Sequence, residues 1–289
     1  MSANTLMSRT TLVLMVAAIV TLSLVSHAQA FTDDRDVRRM TSFGGSCVQC
    51  ELSGRRLAGA RFMGANFAGA VMIGADLRGT TFLGSNFAGA NLTRANLTGA
   101  IMAGANFSGA IFVEADMSSL AAPGANFSGA NLSGVRIEGA ALSGAIFRMA
   151  TLAGANAQSA NLNGALLNQV DGRGTDFSRA SMAGAQLSGG RFERASFREA
   201  QMQAATLSRG SFAGASFAGA SLVRANLDGA DLSQARGLTQ DQINQACSTA
   251  TTRLPPGLNG RACIGTTTVI IRRMPIPPQP PLPPATPRN

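Results

Sequence analysis

The sequence contains no lysine, no tryptophan and no tyrosine, and its single histidine is His27. Without Trp and Tyr, and with 33 Gly and 15 Phe, the composition is atypical of a globular enzyme and indicates a repetitive chain. Because Lys is absent, all 24 basic residues are Arg, and against 15 acidic residues they give a net charge of +9. His27 lies in a segment that we expect to be removed, so the mature chain would lack the base that nucleophilic catalysis usually requires.

Residues 1–30 have the organisation of a signal peptide. Arg9 supplies the positive charge, Thr11 to Val25 is apolar, and Ala28-Gln29-Ala30 has the small residues after which signal peptidase cleaves. The alternative is a membrane anchor, but about 15 apolar residues are short for a span, which needs about 20. We predict cleavage after Ala30, a mature chain beginning at Phe31 without a membrane span, and a periplasmic or secreted location.

An apolar residue recurs at every fifth position from Leu52 to Leu232, without an insertion or a deletion. Of these 37 central residues, 34 are Leu, Phe, Met or Ile, and the exceptions are Ala122, Ala157 and Gly172. A period of five fits neither an α-helix nor a strand, so each unit must turn within itself. We predict that the central residue and the small residue two positions earlier point inward, while Gly two positions later permits the turn.

The strongest similarities within the repeat recur at every fourth unit, which predicts a coil with four sides. The segments GANFAGA, GSNFAGA, GANFSGA and GANFSGA begin at positions 64, 84, 104 and 124. This spacing predicts a column of stacked Asn side chains, Asn66 to Asn126, above a column of Phe rings, Phe67 to Phe147. Opposite charges such as Arg94 and Glu114 have the same four-unit spacing. About nine coils of about 4.8 Å each would make a rod about 45 Å long.

Three irregular positions in the repeat each lead to a structural prediction. Val170 stands where Ala would be usual, two residues before Gly172, and so would restore the volume lost at that centre. Ala157 has no such compensation, which predicts a looser coil. Pro123 lacks a backbone donor, which predicts a local disturbance of the hydrogen-bonded ladder.

The tandem units ANFAG, ADLRG, ANLTG, ANFSG, ANLSG and ANLDG resemble the A(D/N)LxG consensus of the pentapeptide-repeat family. The resemblance covers residues 50–236 and implies an all-β solenoid, the right-handed quadrilateral β-helix. It also implies a binding function, because characterised members of the family mostly bind other macromolecules and share no general catalytic activity.

An open solenoid end would expose apolar side chains and unpaired backbone groups, so we predict a short helical cap at each end. Upstream, a short helix is predicted from Asp33 to Met40. Arg55 occupies an inward position, which predicts that the first coil is not fully closed.

Downstream, Thr239 and Gln242 form a capping box, which predicts a helix ending at about Ala246. A loop bracketed by cysteines would follow, and then a strand at Thr266–Arg272. The predicted divisions are the signal peptide 1–30, the N-terminal cap 31–49, the repeat 50–236, the C-terminal cap 237–273 and a disordered, Pro-rich tail 274–289.

The four cysteines form one cluster at each end of the repeat, Cys47 with Cys50 and Cys247 with Cys263, and each cluster can form a disulfide in an exported protein. A four-Cys zinc site would require the clusters to meet across about 40 Å of rod, and a thioredoxin-like motif needs a βαβ setting. The serines and carboxylates occupy repeat positions where small or solvated polar side chains are expected. The sequence therefore predicts no catalytic residue, no cofactor and no metal site.

We therefore predict an exported bacterial protein that acts as a non-catalytic binding or structural scaffold in the cell envelope or outside the cell. We expect its partner to be a macromolecule and not a small-molecule substrate, and among macromolecules we favour a protein. One alternative follows from the family resemblance, since some members mimic DNA, bind DNA gyrase and protect it from quinolones. Those members are acidic and intracellular, whereas this chain is basic and carries an export segment.

A second alternative is polyanion binding through the Arg-rich C-terminal half of the repeat. The candidate binding face consists of Arg191, Arg194, Arg198, Arg209 and Arg224. Glu193 and Glu199 lie within this cluster and weaken the case.

Overall fold

The computed structural model describes residues 45–262, and within them the chain forms a rod with four sides. Parallel β-bridges of single residues join each bridged residue to its equivalent four units later, from Ser46↔Asn66 to Ser216↔Arg236. A bridge occurs at every fifth residue, so each coil has four very short strands and the repeat makes about nine coils. The four-sided coil predicted from the four-unit spacing is confirmed. The predicted signal peptide, N-terminal helix, Thr266–Arg272 strand and Pro-rich tail lie outside the described residues.

The four sides are numbered here by their columns of bridged residues. Side 1 contains Ser46, Asn66 and every twentieth residue to Asn226, and side 2 runs in the same way from Glu51 to Asp231. Side 3 runs from Arg56 to Arg236, and side 4 from Arg61 to Ser221. Two turn residues follow each central residue, so a corner separates each side from the next.

Each five-residue unit points two side chains inward, as predicted. In the unit around Phe67, Ala65 and Phe67 are fully buried, whereas bridged Asn66 is only partly so. The second turn residue has a positive φ, +65° at Gly69, which explains the frequent Gly at this position. Where another residue stands there, the backbone keeps this conformation, as at Arg94 with a φ of +55°.

The hydrogen-bonded ladder uses three of the five N–H groups in each unit. The N–H groups of Phe67 and Gly69 donate to the next coil, at 2.7 and 2.9 Å, and that of a bridged residue donates to the preceding coil. The N–H of the first turn residue takes no part in this ladder. Pro123 occupies such a first turn position, and the neighbouring bonds from Ala122 and Gly124 are intact at 2.8 and 3.0 Å. The prediction that Pro123 disturbs the ladder was wrong, because the donor it lacks is not used there.

The core contains the predicted column of phenylalanine rings beneath side 1. Neighbouring rings from Phe67 through Phe147 are nearly parallel, with centroids 4.9–5.1 Å apart. Above them, the Nδ2 of Asn86 donates to the Oδ1 of Asn66 at 3.0 Å, and the ladder continues to Asn126. A second column of parallel rings lies beneath side 3, at Phe177, Phe197 and Phe217.

The irregular centres are accommodated by contacts between coils. Val170 is fully buried, as expected, but the ring of Phe192 from the next coil also covers Gly172. A Cβ atom on Gly172 would lie 2.6 Å from Cδ1 of Phe192, so the ring needs a glycine at that centre. At Ala157 the backbone bond to Asp176 is 2.8 Å, and the expected loosening of the ladder is not observed.

The C-terminal cap covers the last coil as predicted. Helix α1 spans Gln240–Gln245, with Thr239 as its N-cap, Ala246 as its C-cap and the capping box to Gln242 formed. The side-chain amide of Gln242 donates to the carbonyls of Phe217 and Ala220 at 2.9 and 2.8 Å. The carbonyl of Ala220 has no further coil above it and gains this bond from the cap, whereas that of Phe217 also accepts the N–H of Ala220 at 3.0 Å.

A disulfide between Cys47 and Cys50 bridges the turn of the first described unit. Cys47 is buried at a central position, so the repeat register extends one unit before the predicted boundary at residue 50. Cys247 is also disulfide-bonded, while its predicted partner, Cys263, lies outside the described residues. Within residues 45–262, no helix has the length and apolar character needed to cross a membrane.

Candidate binding surface

The five arginines of the predicted binding face do not share one face of the rod. Arg191 is a bridged residue of side 2, and Arg194 lies at the corner between sides 2 and 3. Arg198, Arg209 and Arg224 lie at the other three corners. The cluster is dispersed because the chain changes side with every unit, so neighbours in sequence are distributed around the rod.

The structure instead assembles an arginine groove along the corner between sides 2 and 3, with a volume of about 720 Å³. Its floor is formed by Ala153, Gly174, Ala213 and Gly214. Its polar lining is Arg173, Glu193, Arg194, Gln234 and Arg236. The floor residues are small and come from three coils at the same corner, with Glu193 and Arg194 in the coil between Gly174 and Ala213, so the groove runs parallel to the axis of the rod.

The charged side chains of the arginine groove are only partly satisfied. Arg173 is held by Asp171, through Nε–Oδ1 and Nη2–Oδ2 bonds of 2.8 and 2.6 Å. Among the described residues, the guanidinium groups of Arg194 and Arg236 have neither a hydrogen-bond nor an ion-pair partner. The Oε2 atom of Glu193 is buried without a hydrogen-bond partner in the same part of the chain. The other oxygen of this carboxylate, Oε1, lies 4.0 Å from Nε of Arg191, so the groove presents two unpaired guanidinium groups and no open acceptor on Glu193.

A smaller cleft of about 240 Å³ lies at the corner between sides 3 and 4, and it brings Arg198 beside Arg179 and Glu199. Two of its uncharged polar groups are engaged with neighbours: Gln158 Nε2 donates to Asp176 Oδ2 at 2.6 Å, and the hydroxyls of Ser178 and Ser196 lie 2.7 Å apart. Because positive and negative groups alternate here, this cleft does not concentrate charge of one sign.

Side 4 differs from the other sides, because it carries no charged side chain between Arg61 and Arg224. Met63 and Ile101 are among the exposed apolar residues of its first coils. Beyond Arg61, the charged side chains of the described rod therefore lie on the other sides and at the corners.

Asn and Asp at bridged positions have a role that the sequence pattern did not reveal. The Oδ1 atom of Asn66 accepts the N–H of Ala68 at 3.1 Å, and Asp76 and Asp171 accept from the N–H of Arg78 and Arg173 in the same way. These side chains satisfy the one turn donor that the ladder leaves unused. The preference for Asp or Asn at this position of the consensus was a signal of this role. Exposure to solvent, however, explains a polar residue at the position equally well.

The pKa values of the Asp76 and Asp171 carboxyl groups lie below their usual value. In both cases the main cause is the side-chain hydrogen bond from the Arg two residues later, and burial opposes it. Because the pKa is lowered in the folded state, the carboxylates stabilise the rod at neutral pH, and this contribution is lost as the pH falls.

We expect the double variant Asp76→Asn, Asp171→Asn to lose less thermal stability than the wild type between about pH 5 and pH 2. Asn preserves the turn acceptor, so the Tm at pH 7 should fall by no more than about 4 °C. Thermal unfolding followed by circular dichroism across this pH range measures both effects. An unchanged pH dependence in the variant would show that these two carboxylates do not govern acid stability.

Among the described residues, no group of three or more His, Cys, Asp or Glu side chains could hold a metal ion.

A family model described as pentapeptide repeats matches the chain in eight copies, over residues 46–84, 82–118, 110–148, 155–194, 175–209 and 195–234. A search of curated proteins finds no match. Similar solved structures include HetL, a pentapeptide-repeat protein involved in regulation of heterocyst differentiation in the cyanobacterium Nostoc. HetL is 24% identical, with a TM-score of 0.62, and the match covers 76% of this chain and 96% of HetL.

Two further structures are less similar in overall geometry. Full-length QnrB1, a plasmid-mediated fluoroquinolone resistance protein, is 20% identical with a TM-score of 0.35, covering 71% of this chain and 94% of QnrB1. A pentapeptide-repeat protein from the thylakoid lumen of Arabidopsis thaliana is 30% identical with a TM-score of 0.28, covering 44% of this chain and 77% of that protein. The likeness to HetL supports the architecture of the rod.

Proposed function

Because the chain belongs to the pentapeptide-repeat family and folds as a right-handed quadrilateral β-helix, we propose that it is an exported, non-catalytic scaffold that binds a protein partner. Pentapeptide-repeat proteins are generally scaffolds without enzymatic activity. The N-terminal segment with its cleavage pattern at Ala30 supports a location in the periplasm or outside the cell.

The observation that carries this proposal is the arginine groove, in which the guanidinium groups of Arg194 and Arg236 have no hydrogen-bond or ion-pair partner among the described residues. The inward-facing hydroxyls of Thr80, Ser85 and Thr175 each donate to a backbone carbonyl. Three buried side-chain atoms in residues 45–262 have no partner: Ser118 Oγ, Asn168 Oδ1 and Glu193 Oε2. Glu193 lines the groove, but its Oε2 is enclosed by the protein and its Oε1 lies 4.0 Å from Nε of Arg191, so the guanidinium groups of Arg194 and Arg236 are what the groove presents to a partner.

The charge of the chain favours this scaffold over a mimic of DNA. A DNA mimic needs a dense negative surface, whereas this chain has a net charge of +9 and unpaired guanidinium groups in its groove. The polyanion alternative is weakened by Glu193, whose negative charge lines the groove together with the arginines.

Expression of the full chain in a Gram-negative host should yield a periplasmic product that begins at Phe31. Its intact mass should be lower than that of the reduced chain by the four hydrogens of two disulfides, Cys47–Cys50 and Cys247–Cys263. Cell fractionation, N-terminal sequencing and mass spectrometry under non-reducing conditions test the three features together. A cytoplasmic product that retains Met1 and four free thiols would refute the exported scaffold.

A further inference from the structure

We propose that sides 4 and 1 bind further copies of this chain, and that four parallel rods assemble with their corners between sides 4 and 1 at the centre. In this tetramer, side 4 of each rod packs against side 1 of the next rod. The assembly goes beyond the proposed function. It leaves the arginine groove exposed, because the groove lies at the opposite corner, between sides 2 and 3.

The charged side chains divide the rod lengthwise. The charged residues of the repeat that lie on sides 4 and 1, with each corner assigned to the side before it, are Arg61, Arg148, Arg209, Arg224 and Asp228. The other charged residues between Glu51 and Arg236 lie on sides 2 and 3, except for Arg55 at its inward position. Because the chain has a net charge of +9, rods that met through sides 2 or 3 would bring arginines together. Sides 4 and 1 allow contact with little of this repulsion.

Exposed apolar side chains are concentrated on the same two sides. Among the described residues, five of the six large apolar side chains that are exposed lie there: Val48, Met63, Ile101, Met149 and Val223. Met63 and Val48 are 53% and 47% exposed, and they belong to the same coil, on sides 4 and 1 respectively. Packing side 4 on side 1 of a neighbour would bring these two side chains together and remove both from water.

The corner between sides 4 and 1 is small enough to lie at the centre of four rods. It is glycine in every coil from Gly64 to Gly184, and alanine at Ala204. The other three corners carry longer side chains, for example Met149, Arg94 and Arg179. Because four sides close one coil, adjoining sides meet at about a right angle, so four rods can share one central axis. Head-to-tail contacts of this kind close into a ring.

The area of the two sides matches that of a stable interface. Side 4 is uncharged from Thr81 to Ser221, over eight coils or about 38 Å. Three extended residues make a side about 10 Å wide, so one side offers about 400 Å² and both offer about 800 Å². Stable interfaces bury about 800 Å² per partner. A pair of rods joined by one side falls short of this area, whereas a ring that uses both sides reaches it.

The direction of the rods follows from the few charges on these sides. Antiparallel rods joined through side 4 would bring Arg61 of one copy near Arg224 of the other. Parallel packing of side 4 on side 1 instead places Arg61 beside Ser46, and Arg148 beside Asn163. Neither of these arginines then meets a like charge in the same coil.

Sedimentation velocity of the purified full chain at physiological salt should give four times the mass of one chain. Ala121→Arg or Ser108→Arg places four arginines in the interface, and each should lower the association constant by at least about tenfold. Arg already stands at these positions of other units, at Arg136 and Arg148, so both variants should fold. The matched control is Thr151→Arg on the outward side 2, which should change the association constant by less than about twofold.

The double variant Ala121→Arg, Ser108→Glu tests which sides meet. The two positions lie in the same coil, so parallel packing of side 4 on side 1 places the new Arg of one copy beside the new Glu of the next. The tetramer lost in Ala121→Arg should therefore be restored. Packing of side 4 on side 4 would give no rescue, because the glutamates would lie on another face.

The central corner provides a test with the opposite sign. Parallel rods bring four copies of Arg224 together at this corner, so Arg224→Ala should strengthen the assembly by about tenfold. Arg209→Ala removes the same charge from the corner between sides 1 and 2 and should have an effect of less than about twofold. Ala204 holds the same turn position as Arg224 one coil earlier, with a φ of +55°.

A wild-type protein that sediments as a single chain at micromolar concentrations would overturn the assembly. A tetramer that resists both arginine substitutions, or that Thr151→Arg also disrupts, would overturn the assignment to sides 4 and 1. A dimer that only Ala121→Arg disrupts would overturn the ring. Circular dichroism of each variant confirms its fold, and none of these results depends on export, which the N-terminus and location of the product test.

Discussion

Replacing Phe107 with alanine should lower the free energy of unfolding by about 3–5 kcal/mol. Phe107 is fully buried in the middle of the ring column beneath side 1. Its ring stacks on Phe87 and Phe127 at centroid distances of 5.1 and 4.9 Å, and it contacts the edge of Phe112 at 5.3 Å. Alanine would lose this burial and leave a cavity between two coils that the backbone ladder holds apart.

Urea denaturation followed by circular dichroism measures this loss, provided that a second probe shows the same transition. Phe107→Leu is the matched control, because Leu occupies the equivalent centres Leu167 and Leu187 of side 1. The Leu variant should lose less than about 2 kcal/mol. A loss below about 1 kcal/mol in Phe107→Ala would show that the ring column contributes little to stability.

Replacing Gly190 with alanine should destabilise the rod by about 1–3 kcal/mol, although alanine is the usual residue at this position in the unit. A Cβ atom on Gly190 would overlap Cε2 of Phe192 and lie 3.0 Å from Cζ of the same ring. The φ of Gly190 is not positive, so backbone strain does not explain the effect. Without the ring, Gly→Ala would stabilise by about 0.4–1 kcal/mol through the unfolded state.

A double-mutant cycle with Phe192→Leu isolates the clash. In the Phe192→Leu background, Gly190→Ala should be neutral or stabilising, so the coupling should exceed about 1 kcal/mol. The same cycle with Gly172→Ala should behave alike, since that Cβ would meet Cδ1 of the same ring at 2.6 Å. A stabilising Gly190→Ala in the wild-type background would mean that the ring moves away at little cost.

Gly172 and Gly190 show which kind of contact could not be predicted from the sequence. The pattern identified Gly172 as an exception and found part of its compensation in Val170, which is buried as expected. It did not identify Phe192, because that ring reaches Gly172 from the next coil. Residue volume can be compared along the chain, but the side chain that fills a gap depends on its rotamer and on the neighbouring coil.

The arrangement of the arginines on the rod was even less predictable from the sequence. The sequence placed Arg191 through Arg224 together because they are close in the chain, and the structure distributes them around the rod. It brings together Arg194 and Arg236 instead, although they lie more than eight units apart in the sequence. Their proximity was encoded in the four-unit spacing, since equivalent positions recur once in every coil, but the groove between them was not.

The sequence by itself determined the period of five, the inward and outward positions, the coil of four units, the asparagine and phenylalanine columns and the cap of α1. These features follow from residue type and spacing. The first four recur along the chain, so many units of the sequence support each of these predictions independently. Only the tertiary structure decided that Pro123 removes an unused donor, that Phe192 covers Gly172 and Gly190, and that two arginines without a partner among the described residues share one groove. Each of these depends on hydrogen-bond partners or side-chain directions between coils, which a local pattern does not specify.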